Sequence, residues 1–180
     1  MGTLKPPPRA KLFVGMLTGD AAWFDAAQEA LVAAYGPVDQ ATAIWPFTAS
    51  HYYRAELGDN ILRRFLFFET LIGVQNLPAI KRHTNEIESA SCARAGRPAD
   101  CRPINLDPGY LTLSKVVLAT TKDYSHRLYL DQGIFGEVTL RFLAGRWQPW
   151  PWTYADYAAE TYHPAFLDAR NRLKTSLAAG

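Results

Sequence analysis

The chain has 180 residues, of which 48% are hydrophobic and 20% charged, and its formal net charge is +2. This length is typical of one domain with a substantial core, and the hydrophobic fraction excludes a disordered chain. The small net charge gives no argument for nucleic acid or an anionic membrane, and no apolar run approaches the roughly 20 residues of a spanning helix. We therefore expect a cytoplasmic protein with no membrane partner.

The first ten residues differ in composition from the rest of the chain. Residues 1–10 contain three consecutive prolines and predict a disordered, Pro-rich arm. No repeat, low-complexity tract or linker follows the arm. Residues 11–180 are therefore predicted to form a single α+β domain.

A strand and a helix are predicted directly after the arm. The apolar run from Lys11 to Leu17 is typical of a buried strand. Asp20 is placed to cap the helix that follows, and Gly36-Pro37 would end this helix. The apolar stripe of the helix is Phe24, Ala27, Leu31 and Tyr35.

Two strands are expected between this helix and the next, at Ala41–Phe47 and at Leu62–Leu71. The second places Arg63 and Arg64 on opposite faces, because side chains alternate along a strand. Such arginines either pair with carboxylates or reach a ligand.

A second helix is predicted from Pro78 to Ala95, with a weakly apolar stripe of Ile80, Thr84, Ile87 and Ser91. His83 and Glu86 are i, i+3 neighbours on this helix. Two candidate ligands without a third do not form a zinc-type site, so no metal is predicted and no other cofactor is indicated.

Polar side chains concentrate between residues 102 and 154. Asn105 and Asp107 share one face of a short strand, which the turn signal Asp107-Pro108-Gly109 is expected to end. Lys115–Thr121 is β-branched and predicts a strand, although the same letters would also fit a helix after Thr112.

A hairpin is predicted around Asp131-Gln132-Gly133. A three-residue loop with Gly in third place pairs Leu130 with Ile134, and hence Leu128 with Gly136. This register buries Leu128, Leu130, Ile134 and Val138 together, puts His126 on the core face, and sets Arg127 beside Glu137 on the other face. The rival two-residue loop would mix a charge into the apolar face.

A second hairpin is predicted at Ala144-Gly145, and an aromatic, proline-rich tail follows it. Trp152 and its neighbours either close the edge of the core or stack on a base, a sugar or a peptide. Thr153–Asp156 fits a capping box at the start of a short helix. A final helix would carry Phe166, Leu167, Arg170, Leu173 and Leu177 on one side.

Together these elements predict an α+β fold of one domain, with a mixed sheet, a C-terminal antiparallel meander, and helices packed on the sheet. The candidate catalytic residues are Asp107, Asp123 and His126. The candidate substrate-binding residues are Asn105, Lys115, Lys122, Arg127, Trp152 and Tyr154. A straight segment from Leu111 to Thr121 would hold the two groups of charges about 33 Å apart, and a bend or a helix would bring them together.

Several stretches carry a resemblance to a known family, namely KLFVG, TNEIE, NLDPGYLTLSKVVLATTKDYSHRLYL, GIFGEVTLRF and WPWTYADY. Together they resemble an uncharacterised bacterial domain-of-unknown-function family, over about Lys11 to Leu177. Some similar proteins carry a GTP-binding label. The chain has no GxxxxGK[ST] loop, because Gly15 and Gly19 are not followed by the Lys-Ser/Thr pair that would reach phosphate and magnesium.

Two functional hypotheses follow from the sequence. The first is an enzyme acting on a small anionic molecule, nucleotide-like or phosphorylated, with cations stabilising charge and a carboxylate or histidine as general acid or base. The alternative is a non-catalytic module that binds RNA, a nucleotide or a protein partner through the aromatic tail and the arginines.

Overall fold

The computed structural model describes residues 2–98 and 101–179. Residues 2–9 have no regular secondary structure and are exposed, and the first strand begins at Ala10. Met1, Ala99, Asp100 and Gly180, which belong to the predicted arm and domain, lie outside the described residues. No helix in residues 2–98 or 101–179 combines the length and the apolar character needed to cross a membrane.

The described residues form nine strands and five helices. The strands are β1 (Ala10–Thr18), β2 (Val38–Ala41), β3 (Trp45–Pro46), β4 (Leu62–Ile72), β5 (Ile104–Leu111), β6 (Lys115–Thr120), β7 (Leu128–Asp131), β8 (Ile134–Leu143) and β9 (Arg146–Pro149). The helices are α1 (Ala22–Tyr35), α2 (Arg54–Leu57), α3 (Leu77–Arg94), α4 (Ala155–Ala158) and α5 (His163–Ala179).

All nine strands belong to one open sheet, in the order β2-β4-β1-β5-β6-β8-β7, with β3 beside β4 and β9 beside β8. The α+β prediction is confirmed. All these pairs are antiparallel, so the sheet is not mixed as predicted. The reason is that the strand after α1 does not return beside β1 as in a parallel crossover but pairs with β4.

Helices cover the sheet on two faces, which explains why β1 is buried along its whole length. On one face α1 and α3 pack on Leu12, Val14 and Met16. On the other face Phe13 packs with Phe166 of α5 and with the aromatic residues of β4 and α4. The middle of β4 is likewise buried on both faces, from Phe65 to Phe68.

The strand β5 continues through Asp107-Pro108-Gly109, where a turn was predicted. The prediction was wrong because β1 pairs with β5 along its whole length, including Val14 beside Pro108, and this pairing outweighs the local turn signal. Gly109 is required here, since an added Cβ would lie 2.5 Å from both the Phe13 ring and the Val117 carbonyl oxygen.

The strands β5 and β6 form a hairpin that is paired only at its closed end. Three residue pairs join them, and the ladder stops at Gly109, next to the proline that has no N–H to donate. Beyond that point α3 satisfies the open edge of β5. Lys81 donates to the Leu106 carbonyl at 2.8 Å, and the Leu106 N–H donates to Glu88 at 2.5 Å.

These contacts correct the predicted stripe of α3. Its buried residues are Leu77, Pro78, Ile80, Lys81, Thr84, Glu88 and Cys92, which include the predicted Ile80 and Thr84 but not Ile87 and Ser91. Two charged side chains replace apolar ones because they bind backbone groups that a neighbouring strand would otherwise take.

The β7–β8 hairpin has the predicted pairing of Leu128 with Gly136 but a different turn. Gln132 and Gly133 have positive φ angles of 50° and 78°, so the loop has two residues, and a bulge at Leu130 restores the register. The predicted burial was wrong, because β7 is an edge strand that no layer covers. Leu128 is 75% exposed, whereas Ile134 is buried.

The predicted strand continuing back through Tyr124 and His126 is a loop of residues 121–127. The predicted contact between Arg127 and Glu137 is present, with Nε donating to the carboxylate at 2.8 Å. His126 was placed on the opposite face from this pair, but its Nε2 lies 3.2 Å from the same carboxylate. This shared carboxylate holds the loop against β8.

Two smaller predictions also change. The strand expected at residues 41–47 is divided into β2 and β3, which both pair with β4. The capping box is absent, because the Thr153 hydroxyl donates to the Thr139 carbonyl instead of capping α4. Asp156, its expected partner, is turned toward Arg63.

Candidate functional site

A pocket of about 450 Å³ opens where β5 and β6 separate. This volume lies within the range of roughly 300–1,000 Å³ that small-molecule sites occupy. Its wall is formed by the segment before α2, the open halves of β5 and β6, the loop 121–127, and α4.

Charged side chains from six segments of the chain line this pocket. The cations are Arg63, Lys81, Arg102, Lys122 and Arg127, and the carboxylates are Asp107, Glu137 and Asp156. The lining cations outnumber the lining carboxylates by five to three, but Arg102 is paired with Glu56 and Glu88, which lie outside the lining.

Arg63 forms the floor of the pocket and is 3% exposed. Its Nη2 donates to Asp156 at 2.5 Å, and its Nη1 lies 4.0 Å from the Asp107 carboxylate. Its guanidinium carbon lies 5.2 Å and 5.6 Å from the ring centres of Phe65 and Tyr157. Burial alone would lower the pKa of Arg63, but Asp156, Tyr157 and Asp107 outweigh it and raise the pKa, so this side chain stays cationic.

Gly15 of β1 makes room for this arrangement. An added Cβ would lie 2.9 Å from Arg63 Nη1 and 3.0 Å from the Tyr157 hydroxyl. A side chain at this position would therefore displace the floor of the pocket.

Asp107 is held by Asn105 and Lys81 in addition to Arg63. Asn105 donates to its Oδ2 at 2.6 Å, and Lys81 Nζ lies 3.8 Å from its Oδ1. Lys81 belongs to α3, on the opposite face of the sheet, and reaches Asp107 at the open edge of β5. The Asp107 side chain is 25% exposed, whereas those of Glu137 and Asp156 are 1% and 7% exposed. Asp107 is thus the pocket carboxylate most available to a ligand.

Arg127 organises the wall opposite Arg63. Its Nε donates to Glu137, its Nη1 to the Lys122 carbonyl at 3.0 Å, and its Nη2 to the Tyr154 hydroxyl at 2.7 Å. It therefore joins β8, the loop 121–127 and the segment before α4. Burial raises the pKa of Tyr154 to about 12, with Glu137 acting in the same direction, so Tyr154 is a neutral phenol.

The mouth of the pocket is crossed by a contact between two exposed side chains. Lys122 Nζ donates to the Tyr52 hydroxyl at 2.8 Å and lies 4.5 Å from the centre of its ring. A lysine has three N–H donors, so this one keeps donors for a ligand.

Arg102 closes the pocket on the side of α3. It donates to Glu56 at 3.0 Å and to Glu88 at 2.7 Å. Burial would lower its pKa, but these two carboxylates raise it. Arg102 therefore contributes positive charge while most of its hydrogen bonds remain within the protein.

The structure brings five of the nine sequence-predicted site residues into this pocket, namely Asn105, Asp107, Lys122, Arg127 and Tyr154. Lys115 begins β6, and the pocket lies at the other end of that strand. Asp123 is exposed in the loop 121–127. The rings of His126 and Trp152 stack on each other, with 5.4 Å between their centres. None of these three residues lines the pocket.

The hairpin of β5 and β6 explains how the charges near Asp107 and those near Lys122 reach the same site. The segment from Leu111 to Thr121 is not straight, because the chain reverses between β5 and β6. The register pairs Gly109 with Leu118, and two further steps would set Asp107 opposite Thr120. A turn, rather than the helix considered above, therefore brings Asp107 and Lys122 to one end of the sheet.

Sequence reasoning missed several pocket residues, chiefly Lys81, Asp156, Tyr53 and Tyr157. A signal existed for Lys81. It lies on a helical stripe with Leu77, Thr84 and Cys92, where a charge is unusual and indicates a buried partner. Asp156 and Tyr157 had no comparable signal, since their contacts with Arg63 join segments more than 90 residues apart.

The aromatic tail forms a continuous stack beside the pocket. The ring of Trp152 stacks on those of His126 and Trp150, with 5.4 Å and 5.2 Å between ring centres. The guanidinium carbon of Arg141 lies 4.5 Å from the centre of the Trp150 ring. Both faces of Trp152 are therefore in contact with the protein. A base or a sugar could stack on this tryptophan only by displacing a neighbour.

Within residues 2–98 and 101–179, no three His, Cys, Asp or Glu side chains are grouped so that they could hold a metal ion.

The profile of the family described as Domain of unknown function (DUF4416) matches residues 8–173. Neither a curated protein nor a solved structure matches the chain.

Proposed function

This chain belongs to the DUF4416 family, a domain of unknown function, and we propose from its pocket that it is an enzyme acting on a small anionic molecule. In this proposal Lys122 and the arginines of the pocket provide positive charge, and Asp107 acts as general acid or base. The observation that carries the proposal is a concave site that combines a partly exposed carboxylate, Asp107, held by Arg63 and Lys81, with the unpaired cation Lys122 among the described residues.

The charge balance supports an anionic ligand. Arg63, Arg102 and Arg127 are already paired with carboxylates, whereas Lys122 makes no ion pair with any carboxylate in the described part of the chain. A ligand carboxylate or phosphate would add the missing negative charge and would be attracted from solution.

The position of Asp107 supports catalysis over binding alone. Asn105, Lys81 and Arg63 fix its orientation, while part of its carboxylate faces the pocket. A general acid or base must be held within hydrogen-bonding reach of its substrate, and buried neighbours provide this precision.

The aromatic tail gives less support to the alternative of an RNA- or protein-binding module. The faces of Trp152 are occupied, and Trp147 is buried with 4% exposure. Trp152 is 38% exposed, but these contacts support packing as the role of the tail.

Replacing Lys122 by alanine should weaken the binding of inorganic phosphate by about tenfold at low salt, and less at high salt, because an exposed cation is screened by ions. Lys115→Ala is the matched control, since it removes the same charge from the other end of β6, about 17 Å away. Titration of both variants by NMR measures the effect, and equal losses in the two would contradict it.

Native mass spectrometry of the purified protein, followed by denaturation to release a bound molecule, tests the function directly. We expect a small anion to be released and to be converted by the wild type but not by Asp107→Asn, which should still bind it. If no small anion binds the wild type at millimolar concentration, the proposal fails.

A further inference from the structure

We infer that the anionic group of the ligand is held by the hydroxyls of Tyr52, Tyr53 and Tyr154 together with Lys122, while Arg127 positions Tyr154 without itself being the main ligand contact. We call these three residues the tyrosine cluster. The inference rests on the proposed function and specifies where the anion lies and which groups select it.

The three tyrosines come from two segments that face each other across the pocket. Tyr52 and Tyr53 precede α2, and their rings meet edge to face at 5.0 Å. Tyr154 precedes α4. All three line the pocket, and Tyr52 and Tyr154 are 64% and 44% exposed, so a ligand can reach them.

Each hydroxyl keeps a proton to donate. The Tyr52 hydroxyl accepts its hydrogen bond from Lys122, and the Tyr154 hydroxyl accepts from Arg127. The Tyr53 hydroxyl makes no hydrogen bond with any residue in the described part of the chain. A phenol that accepts from a cation is polarised and becomes a stronger donor, and an anionic oxygen is its best acceptor.

The phenols also remain neutral at physiological pH. Burial raises the pKa of Tyr53, and Asp107 raises it further. Burial raises the pKa of Tyr154 to about 12, with a further contribution from Asp107. Both phenols line the same pocket as the Asp107 carboxylate, so an anion bound by the tyrosine cluster would place the rest of the ligand in the pocket that contains Asp107.

Arg127 differs from Lys122 in how its donors are used. Each of its three nitrogens donates one hydrogen bond within the protein, which fixes the guanidinium, and its side chain is 10% exposed, whereas Lys122 is exposed and makes one such bond. Its role is to orient and polarise Tyr154, so it is a positioning residue.

Binding of inorganic phosphate and of acetate by the wild type and by Tyr52→Phe, Tyr53→Phe and Tyr154→Phe tests the inference. Each phenylalanine keeps the ring packing and removes one donor. Each variant should bind the preferred anion about tenfold more weakly, because it lacks one hydrogen bond to a charged group. The better-bound probe shows whether the site selects a phosphoryl or a carboxyl group.

Tyr124→Phe and Tyr129→Phe are the controls, because both side chains are exposed outside the pocket and should leave binding unchanged. Thermal unfolding of each variant shows whether the fold is kept. If the wild type binds an anion and the three variants of the tyrosine cluster bind it equally well, the inference is wrong while the proposed function stands. If the wild type binds neither probe, the inference fails together with the proposed function.

A double-mutant cycle tests the role of Arg127. Arg127→Met should weaken binding in the wild-type background but have little further effect when Tyr154 is already phenylalanine, because Arg127 acts by orienting and polarising the Tyr154 hydroxyl. Additive losses would show that Arg127 acts on the anion by a route other than Tyr154, and would overturn its role as the positioning residue of Tyr154.

Discussion

Replacing Arg63 by methionine should lower the free energy of unfolding by about 3–5 kcal/mol, because it leaves the buried Asp156 without its cation. The change also removes the contact of Nη1 with Asp107. The loss follows from the uncompensated charge and not from lost volume, since methionine fills much of the same space among Phe47, Phe65 and Tyr157. Denaturant unfolding measures the effect.

Two comparisons separate this cause from general disruption of β4. Arg64→Met changes the next residue, whose carboxylate partner Asp25 has a side chain that is 88% exposed, and should cost less than about 1 kcal/mol. The double variant Arg63→Met with Asp156→Leu should recover a large part of the stability, because it removes both buried charges. Equal losses for Arg63→Met and Arg64→Met would contradict the prediction.

The strands predicted best from the sequence are those with continuous apolar runs. β1, β4 and β6 have such runs, and a central position in a sheet covered on both faces is the environment that they fit. The predictions for β5 and β7 were wrong because their local sequence patterns do not match their positions in the sheet. β5 carries a local turn signal that pairing with β1 overrides, and β7 carries an apolar pattern that lies at an edge without a covering layer.

The candidate site was predictable in part for a related reason. Asn105 and Asp107 lie on one face of β5 and Lys122 follows the end of β6, and polar residues in and beside otherwise apolar strands are recognisable in the sequence. Their common location depends on the reversal between β5 and β6, which spacing alone left open. The partners that fix Asp107 come from distant segments, since Lys81 reaches it from α3 and Arg63 from β4.

Gly19 links the stability of the fold to the tyrosine cluster. It follows β1 and lies directly against the last residue of α2, so that an added Cβ would be 2.0 Å from the Leu57 carbonyl oxygen. Because the obstacle is backbone, no change of side-chain rotamer can relieve the overlap. α2 would have to move away from β1, together with Tyr52 and Tyr53 immediately before it.

Gly19→Ala should therefore reduce the free energy of unfolding by about 1–2 kcal/mol. Alanine restricts the unfolded chain and would by itself stabilise the fold by about 0.4–1 kcal/mol, but overpacking of this kind costs about 1–3 kcal/mol and outweighs that gain. Phosphate binding should weaken in the same variant, because two tyrosines of the pocket wall are displaced. Gly2→Ala, with no atom within 4 Å of the added Cβ, should change neither property. A Gly19→Ala variant as stable as the wild type would show that α2 is not held against β1.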